Sequence, residues 1–385
     1  MGLQPSVTPQ MNFLPNPDYI QLEDETVLPT TGASPISKCQ NVYNKKIVKS
    51  AFEGIWSVTT PDSSGPCSRT GNFYVYDNYS HTAYIGYGLS GKHEPLFDLW
   101  ALDTFTRKWR EIKLTGLKLS GRIGSRSCLI GTHLVIFGGY SEPNYFGDLH
   151  TIDINTGEVQ LVVTKGQPPT PRSTPITAIY NNKFYVWGGF NGNWPNELNV
   201  LDFSNMTWTQ YPQGAGGRTA VPSAIIGNKL YSYGGSKSGG MIEIDFDNNT
   251  VNVRQTIGSE PPSNVMGAGM VKIENYLIYF GGKAKNEYTL MYGCNTKKMW
   301  WFLFYILPDG ESVTVNDGKV NDIGIFMVPR IHSFSVCYVP EKRELVAFLG
   351  YPTKDPPQLF LVNIGQAMGV VHLQDDLLSM LSDYK

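Results

Sequence analysis

The chain has 385 residues, a formal net charge of −2, 12% aromatic residues and 40 glycines. Nearly balanced charge argues against nonspecific nucleic-acid binding, which needs a basic surface to displace counterions. The five cysteines (Cys39, Cys67, Cys128, Cys294, Cys337) are odd in number, scattered and without a CxxC pair, which reads as free thiols in a reducing, cytoplasmic setting.

Residues 1–43 are rich in proline, threonine and short polar runs, with an acidic patch at Glu23, Asp24 and Glu25, and predict an extended arm. There is no basic-then-apolar leader and no apolar run long enough to span a bilayer. Met1-Gly2 with Ser6 matches the loose myristoylation pattern, without a lysine cluster as a second anchor. The stretch Ile47 to Val58 (IVKSAFEGIWSV) aligns with NVLDFSNMTWTQ further on, placing Trp56 where Trp208 sits. It predicts an outer strand that precedes any complete sheet.

The best-formed unit lies at 171–208. Ser173 to Tyr180 is a β-rich run, Asn181-Asn182 a turn pair, and Phe184 to Trp187 an apolar strand ending in Gly188-Gly189. Leu198 to Asp202 and Met206 to Tyr211 complete a four-stranded sheet across a Ser204-Asn205 turn. Between Trp301 and Pro329 the spacing breaks: WWFLFYIL runs past the normal strand end. Asp317-Gly318 then predicts the turn of an inserted hairpin spanning about 307–326. Finally, Leu373, Leu377, Leu378 and Leu381 fall on one helical face, predicting a short tail helix over 374–385.

The unit repeats. Diglycines recur at Gly138-Gly139, Gly188-Gly189, Gly234-Gly235 and Gly281-Gly282, each after an aromatic-bearing strand, with degenerate copies around Gly88 and Gly350. The period of about fifty residues suits a propeller blade. Arg122, Arg172 and Arg218 each stand sixteen residues before the first glycine. Six residues separate Asp103 from Trp109, Asp153 from Val159, Asp202 from Trp208 and Asp245 from Val251, and Trp300 keeps that offset behind Cys294. On these residues the chain resembles kelch-repeat β-propellers over roughly Phe52 to Asn363. The resemblance implies an all-β, six-bladed kelch-type propeller over 44–373. The 47–58 strand is expected to close the ring, in preference to a local closure by Gly369 to Leu373. An isolated sheet leaves edges open, and closure removes them.

Strand alternation puts the loop entering each inner strand and the loop after each diglycine at one end. That gathers Arg69, Arg122, Arg172, Arg218 and Arg330 with Tyr140, Tyr145, Phe146, Phe190, Trp194 and Tyr288. Arginine and large aromatics dominate binding hot spots, and guanidinium groups can clamp the carboxylates of an acidic peptide. A scaffold role for the repeated arginines stands beside that reading. No histidine pair has metal spacing, no P-loop, GxSxG or HExxH occurs, and His332 beside Arg330 is the best lone catalytic candidate. The expectation is a non-catalytic scaffold or adaptor for protein partners, without metal or cofactor, in a cytoskeletal or other large assembly. The alternatives are a kelch-type enzyme acting on a small molecule or sugar at the channel mouth, and a ubiquitin-ligase substrate receptor.

Overall fold

The computed structural model describes residues 53–235, 239–322 and 325–364. The calls on the 1–43 arm, on Gly2, on Gly369 to Leu373 and on the 374–385 helix lie outside these residues. Among those described, the fold is an all-β propeller whose only helical pieces are two 3-10 turns, Val315–Asp317 and Pro340–Lys342.

Each blade is an antiparallel meander. The 176–211 blade shows why the sequence folds this way. Its strands Ile176–Tyr180, Lys183–Trp187, Leu198–Asp202 and Thr207–Tyr211 pair in sequence order. The first turn, Asn181-Asn182, takes positive φ at both residues (46° and 59°), a conformation asparagine tolerates. The last turn is pinned by Asp202, whose carboxylate accepts from Ser204 N at 2.8 Å. Asp103, Asp153 and Asp245 do the same for their turns, which is the physical content of the six-residue spacing.

In the 266–308 blade this register differs from the sequence alignment. Asn295, not Cys294, caps the turn, accepting from Lys297 N and Lys298 N. Trp301, not Trp300, is therefore the equivalent of Trp208, and it is fully buried. These outer-strand tryptophans reach the preceding blade. Trp208 lies 6.4 Å from Phe137, Trp301 4.9 Å from Tyr233, and Trp109 6.0 Å from Phe348 across the seam where the ring meets itself.

That seam is sealed by the N-terminal strand. Glu53–Thr59 pairs antiparallel with Leu359–Asn363, with Trp56 opposite Val362, and so forms the outer strand of the blade begun by Ser335–Val339 and Glu344–Phe348. The same strand pairs in parallel with the long Trp300–Pro308 strand, Glu53 opposite Tyr305. This fuses two blades into one nine-stranded sheet. Hydrogen bonding divides the described strands into eight sheets: three small pairings in loops, the nine-stranded sheet that joins two blades, and four sheets of one blade each.

The inserted segment also differs from expectation. Asp317-Gly318 is not a hairpin turn. The Asp317 carboxylate accepts from Thr314 N (2.8 Å) and Thr314 Oγ1 (2.9 Å), capping the 3-10 turn, and Gly318 is extended. Glycine is needed there because a Cβ would sit 2.1 Å from the Phe326 ring. Lys319–Val320 instead pairs with Phe326–Pro329, and Val313, Ile325, Phe326 and Val328 bury into the core beside Trp56.

Candidate functional site: the diglycine-side loop face

The loops after the second strands sit on a hydrogen-bonded ring. The second turn glycine, or its equivalent, donates its N–H to the carbonyl of the residue opening the next blade. The bonds run Gly88 to Arg122, Gly139 to Arg172, Gly189 to Arg218, Gly235 to Val265, Gly282 to Ile331 and, across the seam, Gly350 to Arg69, all at 2.8–2.9 Å. Gly139 shows the steric demand: at φ 117° a Cβ would stand 2.5 Å from Ser125 Oγ and 2.9 Å from Arg122 Cδ.

The arginines expected to face a partner are inside this ring. Arg69, Arg122, Arg172 and Arg218 are buried. Arg69 forks onto Asp98 at 2.6 and 2.9 Å and donates to Tyr87 O. Arg122 pairs with Asp148 (2.6 Å) and lies 3.8 Å over the Phe146 ring. Arg172 donates to Glu197 Oε1 (2.5 Å) and Gly188 O (3.1 Å). Arg218 is held by the carbonyls of Gly234, Gly239 and Gly240. Arg330 donates to the carbonyls of Asn286, Gly281, Gly282 and Tyr288, so it serves the blade before its own, where Val265 replaces the arginine. The reading of these five as a clamp for an acidic peptide is corrected: their hydrogen bonds go to internal carboxylates and carbonyls. The acids were visible in the sequence, since three of the loops end on Asp98, Asp148 and Glu197.

Beneath the loops lies a buried relay the sequence did not reveal. Tyr87 Oη is 2.7 Å from His150 Nε2, and His150 Nδ1 is 3.2 Å from Asp148, which pairs with Arg122. Burial lowers the His150 pKa, outweighing the attraction of Asp148. Burial pushes the Asp148 carboxyl up, but the His150 hydrogen bond and the Arg122 charge overcome it and leave Asp148 below its ordinary value. His332 stacks on Tyr351 at 5.0 Å, with its Nδ1 3.2 Å from Ser333 Oγ. Among the described residues no group of three His, Cys, Asp or Glu side chains gathers as a metal site.

The expected aromatics divide. Tyr140 and Tyr145 face each other across a two-by-two hairpin, Tyr140–Ser141 with Asn144–Tyr145, their rings 4.8 Å apart. Tyr145 continues to Phe190 (6.2 Å) and Phe190 to Trp194 (5.3 Å). The result is one run of four rings across two adjacent blades, ending at Trp194, which is 40% exposed. Phe146 is instead occupied as the floor under Arg122, and Tyr288 pairs with Pro329 in the inserted sheet, apart from the run.

Closed blades, inter-blade diglycine stitches and arginine–acid pairs define a kelch-type β-propeller. The chain belongs to the KLHDC2/KLHL20/DRC7 Kelch-repeats domain family, whose model matches residues 35–235. Kelch domain-containing protein 1 of Homo sapiens is 26% identical over 69% of this chain and 75% of its own length. Kelch domain-containing protein 3 of Rattus norvegicus is 30% identical over 36% of this chain and 40% of its own. Host cell factor 2 of Homo sapiens is 28% identical over 36% of this chain and 21% of its own. Among solved structures, YjhT superposes with a TM-score of 0.51 at 16% identity, covering 77% of this chain and 98% of that one, a likeness of fold alone. Kelch-repeat proteins are generally protein-interaction scaffolds.

Proposed function

We propose that this protein is a non-catalytic interaction module that engages a protein partner through its diglycine-side loops. The single observation behind this reading is the ring run Tyr140–Tyr145–Phe190–Trp194. It crosses a blade boundary on loops whose bases are fixed by the glycine stitches. A blade fold does not require aromatic side chains at the tips of its loops. Rigid, partly exposed aromatics supply contact area at little entropic cost, which is why they dominate interface hot spots. The repeated arginines of this face are poor candidates for a clamp, because Arg69, Arg122 and Arg172 are paired internally.

The test is affinity capture with wild type against Tyr145→Ala/Trp194→Ala, with thermal melting as a folding control. The reading expects specific partners lost from the double variant at an unchanged melting temperature. An identical partner set on both proteins would remove the loop face from consideration.

A further inference from the structure

The central channel is a cavity of about 1040 Å³ lined by the inner strands. One inner-strand position compares the blades directly: the residue opposite the last one before the diglycine turn. It holds Phe73, Ile176, Gly269 and Ser335 in four blades, paired with Gly86, Trp187, Phe280 and Phe348. In the 223–254 blade it holds Pro222, one residue before Ser223. In the remaining blade it holds Arg126, paired with Phe137. The scaffold therefore does not need a cation at this position, since its sister blades fold with apolar, small or neutral residues there.

Arg69, Arg122 and Arg172 each pair with a carboxylate, whereas Arg126 has no carboxylate partner among the described residues. Its hydrogen bond among the described residues runs from Nη1 to Ser125 O at 3.2 Å. The nearby Tyr74 offers a neutral hydroxyl, with its pKa pushed up to about 12 by burial. Glu274 is the one carboxylate among the described lining residues, against Arg126, Lys272 and Arg343. It follows the last residue of Met266–Ile273, whereas Arg126 opens Arg126–Ile130, so the two stand at opposite mouths. A guanidinium held in a confined site without a counter-charge is costly, and a bound anion relieves that cost. Small side chains at Gly71, Gly267, Gly269 and Ala220 leave the space open.

We propose that the channel is a binding site for a small anion, a carboxylate or a phosphate, held in two-bond geometry by the Arg126 guanidinium. The cavity has the size of a small-molecule site, and a planar fork matches both anion types. This site is independent of the aromatic loop run and stands or falls separately from it.

The test is calorimetric titration of the full chain with inorganic phosphate and, separately, with succinate. Saturable binding of one probe at one site per chain, with a raised melting temperature, is the expected result. Arg126→Gln should weaken that binding by roughly tenfold or more, as for loss of a charged hydrogen bond. Arg126→Lys should fall between, keeping the charge without the fork, and Arg254→Gln on the outer surface should match wild type. Without anion, Arg126→Gln should melt no lower than wild type. Absence of saturable binding by both probes, binding that survives Arg126→Gln, or a variant that melts well below wild type would each overturn the proposal.

Discussion

Replacing Arg122 with methionine separates the scaffold account from a partner-facing arginine. The guanidinium is 2% exposed, pairs with Asp148 at 2.6 Å and covers Phe146. Removing one member of a buried ion pair costs about 3–5 kcal/mol. Here the Asp148 side chain is 21% exposed, which lets water screen it, so about 2–4 kcal/mol is the working range. For a domain this large that lowers the melting temperature by about 3–6 °C. A second change, Asp148→Asn, should restore part of the loss by removing the stranded charge.

The pH dependence has a definite sign. Asp148 is held below its ordinary value in the fold, so its contribution is present at neutral pH and lost as pH falls through the folded value. His150 is also lowered, so the fold loses stability as pH falls below about 6.5 and the buried ring must charge. Without Arg122 both shifts shrink, and the melting temperature should fall less steeply with acid. Melting curves by circular dichroism across that range decide it. A single variant that melts within about one degree of wild type, as a surface substitution would, refutes the reasoning.

Other outcomes follow from the same packing. Trp208→Ala should cost about 3–5 kcal/mol, read by chemical denaturation, because the ring fills the gap between Phe137 and Phe184 and donates to Thr164 Oγ1. Gly139→Ala should cost about 2 kcal/mol or more in the same assay, from positive φ and the Ser125 contact together. Ser57→Pro, in a strand flanked on both sides, should strip hydrogen-exchange protection from residues 359–363 while leaving 176–211 protected.

The repeating skeleton was legible because its signals are local. The turn-capping aspartates act within a few residues of themselves, and the diglycines and outer-strand tryptophans, though they contact a neighbouring blade, recur at fixed offsets from those turns. Trp56 could be placed as the closing outer strand for that reason, and it does face Val362. The failures are non-local. Whether Arg122 faces a partner or Asp148 depends on a contact across a loop, and the assignment of Arg330 to its preceding blade depends on a chain path interrupted by the inserted sheet. Asp317-Gly318 misled because the aspartate carboxylate was claimed by Thr314 and the glycine by the Phe326 ring. Of the site, the four-ring run was visible as residues but not as a run: Tyr145 and Phe190 come from different blades. Arg126 stood in plain sight four residues after Arg122. It became distinctive only once strand register showed what its sister positions hold.

The most direct measurement for the central claim is a hydrogen-exchange footprint of this protein with a captured partner. The account predicts slowed exchange in the 140–147 and 190–196 loops, with the opposite-end turns at 103–107, 153–157 and 202–206 unchanged. Protection confined to those opposite turns, with the aromatic loops exchanging as freely as before, would contradict it.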